Sequence, residues 1–222
     1  MVRRVLLVRP VQIKEFSLST SVEYERPVAY REANLEEIAK AFCAPPLGTA
    51  VDPMGVNVNK QNDLFSYSLF IPLFNGAASV TISAQRTNVV FNRGSQKEHL
   101  DLMVDYTLRI LLLAGARPSK QTQLSFTAHA VFEEPAHYEE HMRRFTSLSE
   151  AILSGGTVLV SRVPEVDGVL RYASEKSLAY EHGVFLAASA TTPKEAAKDL
   201  FQLMAKRLEA LASLDGISFP KT

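Results

Sequence analysis

The stretch FSLSTSVEYERP, residues 16–27, has a near twin in LSFTAHAVFEEP, residues 124–135. In the first run Phe16, Leu18, Thr20, Val22 and Tyr24 alternate with Ser17, Ser19, Ser21 and Glu23. In the second, Leu124, Phe126, Ala128, Ala130 and Phe132 alternate with Ser125, Thr127, His129 and Val131. Successive side chains of a strand leave opposite sides of the backbone, so a period of two describes a strand with one buried face. The same registers are apolar in both runs, and each ends at a proline, Pro27 and Pro135.

Two more matches follow in the same order. NLEEIAKAF (34–42) aligns with HYEEHMRRF (137–145), pairing Glu36-Glu37 with Glu139-Glu140 and Phe42 with Phe145. Leu35, Ile38, Ala39 and Phe42 fall at the spacing of one helical face. SQKE (95–98) aligns with TPKE (192–195). Each reads as a capping box, a hydroxyl residue with Glu three positions later, and Pro193 suits a first helical position. The boxes would open apolar-striped helices, one from Gln96 to about Ala114 and one from Pro193 to about Leu214.

Phe16 to Leu124 is 108 positions, Asn34 to His137 is 103, and Ser95 to Thr192 is 97. Shortened connections in the second copy account for the shrinking offset. Between the helices, the first copy offers strands at GVNVN, LFSYSLFIPLF, and ASVTISA running on to NVVFN, with a hairpin turn at Asn75-Gly76. The second offers TVLVSRV, GVLRYAS, and LAYE turning at His182-Gly183 into VFLAASA. Each unit reads β-α-β-β-(β)-α. The expected fold is therefore α+β: two repeats, residues 1–118 and 119–222, forming one pseudo-twofold domain. Its curved antiparallel sheet would carry two long helices on one face. In layout this is similar to the saddle of TATA-binding-protein-like folds.

Composition narrows the function classes. The chain has 222 residues, 46% apolar and 22% charged, enough for a sizeable core. Lys plus Arg and Asp plus Glu each number 24, which speaks against general nucleic-acid binding. A lone Cys43 fits a reducing compartment. The start MVRRVLLVRP lacks a signal-peptide core, and ILLLAGA is far too short to span a bilayer, so a cytoplasmic, non-membrane protein is expected.

The segment PAHYEEHMRRF (135–145) carries the one catalytic-looking pattern, His137, Glu140 and His141 in the order H-x-x-E-H. On a helix the two histidines lie one turn apart and can share a metal, with the glutamate beside them as general base. This order resembles the inverted zinc peptidases of the pitrilysin and insulysin type. The resemblance covers about ten residues, Ala136 and Met142 included. It implies His137 and His141 as zinc ligands and Glu140 as the base. The family takes a third glutamate ligand further on, for which Glu209 is the nearest candidate and falls slightly early; Glu195 and Glu181 are worse. The motif also lies past the middle of the chain, whereas in the family it sits near the start of a domain of about this length. The repeat alignment supplies a plainer reading. Tyr138, His141, Met142 and Phe145 map onto Leu35, Ile38, Ala39 and Phe42. His141 should then be a packed, hydrogen-bonded histidine where the sister helix places Ile38, and no zinc or other cofactor is expected.

Other candidates have ordinary explanations. Arg93, Ser95 and Lys97 surround a helix N-terminus and could dock an anion, though a simple cap suffices. Arg86 flanks a strand, and His99 and His182 suit surface positions. Cys43 has no evident base beside it. Three functions remain: a non-enzymatic module binding a protein partner or a second copy; a zinc-dependent hydrolase; or a small apolar-ligand carrier. A carrier would use a cavity lined by LDLMVDYTLRILLLAG and LFSYSLFIPLF. The first is favoured, because no convincing catalytic set is present and the second sheet face is mixed and polar.

Overall fold

The computed structural model describes residues 7–45, 48–60, 67–94, 97–113, 119–146, 155–193 and 197–219. Strand β1 (Arg9–Tyr24) leads to helix α1 (Glu32–Phe42). Strands β2 (Asn57–Lys60), β3 (Tyr67–Leu73), β4 (Ala78–Ile82) and β5 (Arg86–Gly94) precede helix α2 (Lys97–Leu113). Then come β6 (Ser119–Phe132), α3 (Pro135–Thr146), β7 (Gly156–Val163), β8 (Gly168–Lys176) and β9 (Gly183–Thr192). Helix α4 (Ala197–Leu214) and β10 (Ile217–Ser218) follow. This is a mixed α/β protein with one large antiparallel sheet and four helices among the described residues.

The sheet runs β2-β3-β4-β5-β1-β6-β9-β8-β7, and β10 pairs β1 in parallel. The two strands read from the alternating runs are its centre, joined antiparallel from Val11–Phe132 to Tyr24–Ser119. In that register Leu18 faces Phe126 and Thr20 faces Leu124. The apolar registers of both strands therefore share one face, and Phe16 stacks on Phe126 with ring centroids 6.2 Å apart. β1 also pairs β5 with a register shift between Phe16 and Leu18. There the Phe16 ring crosses Gly94 so closely that a Cβ would stand 2.1 Å from it, which calls for glycine.

Buried strand residues such as Leu69, Ile71, Val89, Leu170 and Leu186 form one core with Leu35 and Phe42 of α1, Ile110 of α2, and Met204 and Leu211 of α4. The opposite registers, including Ser17, Ser19, Ser21, Ser125, Thr127 and His129, are half-buried.

Two strand expectations are corrected. ASVTISA does not run on into NVVFN: it is β4, which turns at residues 83–86 into its antiparallel partner β5. The turn has no glycine or proline. Ser83 replaces them, its hydroxyl donating to the Arg86 carbonyl at 3.1 Å and accepting from the Arg86 amide at 3.3 Å. LAYE is not a strand but the β8–β9 loop, because the Ser177 hydroxyl accepts the amides of Ala179 and Tyr180 and bends the chain. The Asn75-Gly76 turn stands, with Phe74, Asn75 and Gly76 all at positive φ. His182, also at positive φ, closes the turn into β9. Of the two capping boxes, residues 95–96 and 194–195 lie outside the described residues. Thr192 ends β9, and its hydroxyl donates to the Val166 carbonyl at 2.5 Å.

The assignment of faces makes a direct prediction. Leu124→Ala should cost about 2–5 kcal/mol. Ser125→Ala, next along the same strand, should cost less than about 0.5 kcal/mol. Urea unfolding midpoints measure both, and equal costs would refute the assignment.

Candidate functional site

Helix α3 begins at Pro135, whose fixed φ suits a first helical position and whose missing N–H costs nothing there. Its inner stripe is Tyr138, His141 and Phe145. The Phe132 ring lies 6.3 Å from Tyr138 and 5.2 Å from His141, and His141 lies 5.6 Å from Phe145. His141 is 6% exposed. It faces the core, as expected of a packed histidine, and Ile38 of α1 is also partly buried against the core.

The His141 Nδ1 accepts a hydrogen bond from Arg144 Nη2 at 2.9 Å. A guanidinium can only donate, so the neutral ring carries its proton on Nε2, the nitrogen left for any metal. Burial holds the His141 pKa down to about 4; Asp215 pulls it up and Arg144 pushes it further down. The ring is therefore neutral at neutral pH.

The other members of the H-x-x-E-H pattern make separate contacts. His137 Nε2 sits 3.5 Å from Glu134, one turn back. Glu140 pairs with Arg9 of β1 at 3.1 Å. Glu209 is exposed on α4. Among the described residues no group of three or more His, Cys, Asp or Glu is placed to hold a metal.

The cluster that sequence reasoning missed is built on Asp215. It follows α4, where Gly216 at positive φ turns the chain into β10. Its side chain is 1% exposed. Oδ1 accepts from Arg144 Nη2 at 2.9 Å and from the Thr157 hydroxyl at 2.6 Å. Oδ2 accepts from the Tyr172 hydroxyl at 3.1 Å and the Ser174 hydroxyl at 2.5 Å. Burial, with the neighbouring carboxylate, raises the Tyr172 pKa and keeps the phenol protonated as a donor. One carboxylate thus ties α3, β7, β8 and the α4–β10 corner. A signal existed: Thr157 and Ser174 fall in the inward registers of their strands, and inward hydroxyls need partners.

The remaining candidates do not converge. Ser95 lies outside the described residues, as do the side chains of Arg93 and Lys97. Cys43 is exposed. His129 Nδ1 meets the Ser177 hydroxyl at 2.9 Å, a hydroxyl that already accepts two backbone amides of its loop. A groove of about 400 Å³ opens beside α1, near Val28, Tyr30 and Leu113. The segments suggested for a carrier cavity place Leu69, Ile71, Leu73 and Ile110 fully buried in the core.

The β7 end of the sheet is different in character. β7 is eight residues long and terminates the strand order, so its outer edge is unpaired among the described residues. Thr157 and Leu159 face inward, Thr157 to Asp215 and Leu159 to the core. Val158 and Val160 face outward, 57% and 67% exposed, and Val169 of β8 is 46% exposed. In register, Val158 faces Ala173, Val160 faces Arg171, and Gly156 faces Glu175.

Two predictions test the polar cluster. Arg144→Met leaves Asp215 charged and buried, at a cost of about 3–5 kcal/mol. Arg144→Met with Asp215→Asn should recover much of that loss in urea unfolding. The second concerns His141. The unfolded ring takes a proton near pH 6.5, whereas the folded ring resists until about pH 4. Between those values the unfolded chain holds the extra proton, so stability falls as pH falls, by about 3 kcal/mol in all. His141→Ile should remove that part of the pH dependence, read from unfolding midpoints at pH 7 and about pH 4.5.

No protein family model matches the chain, and no characterised protein matches it in sequence. Among solved structures it is similar to a rolling circle replication initiator protein from Geobacillus stearothermophilus. The TM-score is 0.32 at 9% identity, over 92% of this chain and 84% of that one. A likeness at that level carries no functional argument.

Proposed function

We propose that the protein is a non-enzymatic assembly module that joins protein to protein at the β7 end of its sheet. One observation carries this reading: an eight-residue edge strand flanked by the exposed valines Val158, Val160 and Val169. An open edge presents a row of free N–H and C=O groups, and a neighbouring strand satisfies them while covering apolar side chains. Edges that avoid association carry lysine, proline or a bulge. Within β7 the one charged residue is Arg162, and there is no proline. Thr157 fixes the strand to Asp215 at 2.6 Å, so it is held ready rather than ordered on binding.

The same reading takes the chain as an internal duplication, residues 1–118 and 119–222, in a saddle-like layout with its helices on one face. Two observations support the duplication. β1 and β6 are neighbours, and β5-β4-β3 and β9-β8-β7 follow them outward in mirrored order. Leu18 and Phe126, counterparts in the sequence alignment, face each other in the sheet. Among the described residues of the second half, β2 has no counterpart. Balanced charge argues against a general nucleic-acid partner, and the lone Cys43 supports a cytoplasmic location. No helix among the described residues is long and apolar enough to cross a membrane.

Light scattering tests the assembly. The wild-type chain should elute at a multiple of its 24.5 kDa mass. Val158→Lys with Val160→Lys, both at exposed sites and costing little in folding, should elute at 24.5 kDa. A wild-type chain of 24.5 kDa at every concentration would sink the proposal.

A further inference from the structure

We infer that the strand added to β7 is β7 of a second copy, paired antiparallel about a twofold axis at Leu159. This inference rests on the edge reading above. A twofold axis perpendicular to the sheet keeps each face on its own side, so outward residues must meet outward residues. Only registers centred on a residue do this, and three such centres fall within the exposed part of β7: Val158, Leu159 and Val160.

Centring on Leu159 satisfies the surface best. Val158 of each copy then faces Val160 of the other, so four exposed valines cover one another. Leu159, half-buried on the core side, meets its own counterpart and extends the core across the join. Arg162 faces Gly156, whose neighbour on β8 is Glu175. With no side chain between them, Arg162 of one copy reaches over Gly156 to Glu175 of the other. Symmetry makes this contact twice, and both residues are exposed on the outward face.

The other centres do worse. A Val160 centre brings Arg162 opposite Val158, beside Ala173, and leaves Glu175 without a basic partner. It also sets Val160 of each copy, with Arg171 behind it, against the same pair. A Val158 centre carries Arg162 past the end of the paired strand and sets Val160 against Gly156. Charge complementarity and apolar overlap therefore select one register.

Cross-linking and charge exchange test it, with Cys43→Ser as the background because Cys43 is exposed. Directly opposed residues lie about 4.5–5.5 Å apart at Cα, within disulfide reach. Leu159→Cys should oxidise to a covalent dimer. Val158→Cys alone should not, because diagonal neighbours are too distant, but mixed with Val160→Cys it should. Arg162→Glu and Glu175→Arg should each weaken the dimer about tenfold. The double variant should restore it, since the two residues stand six positions apart along the strands of one copy and meet only between copies. A dimer lost on Val160→Lys that gives neither the Leu159→Cys cross-link nor the charge rescue would overturn this register and leave the edge reading standing. A chain of 24.5 kDa throughout would overturn both.

Discussion

The antiparallel seam between β1 and β6 is the constraint on which everything else hangs. Thirteen residues of β1 have partners on β6 across it, and all the other antiparallel strands are reached outward through one of these two. The alternation along both strands fixes the seam, because a slip of one residue would turn Phe16, Leu18, Leu124 and Phe126 from the core to the open face. The core on one side and the half-buried serines on the other follow from that single register. So does the position of β7, the last strand on the β6 side.

Asp215 is the second fixed point, and it works by a different kind of force. A carboxylate removed from water loses its hydration, and here four donors from three other elements replace it. Such a cluster adds little net stability compared with well-packed apolar residues. What it supplies is position: α4 must end where its last turn meets Arg144, Thr157, Tyr172 and Ser174 together. His141 belongs to the same arrangement, since its neutral ring accepts the guanidinium that Asp215 also holds. The histidine that looked like a zinc ligand has a packing neighbour on each side and a proton on its remaining nitrogen.

Much of this was legible in the sequence, and the misses have physical causes. The central strands were readable because the alternation is long and one face is fully buried. Helices α1 and α3 were readable from spacing, whereas Pro135, which opens α3, had been read only as the end of the preceding strand. The β4–β5 turn was hidden because a serine hydroxyl does what glycine or proline usually signals. LAYE looked like a strand because Leu178 and Tyr180 alternate with smaller residues, yet Leu178 is 96% exposed in a loop. Asp215 was invisible because its partners come from positions 144, 157, 172 and 174, which no local pattern links. The exposed valines of β7 were read as ordinary strand residues, since edge or centre is decided by the strand order and not by the strand itself.

The seam also sets a timetable. Leu18 and Phe126 are 108 residues apart in the chain, so β1 emerges from the ribosome long before β6 exists. At about 5–20 residues per second the wait is roughly 5–20 s. Throughout that interval a sixteen-residue strand with alternating apolar side chains has an unpaired edge facing β6. β5 arrives sooner and covers the other edge, so the first half can close as a partial sheet. The remaining edge stays open to association until β6 follows.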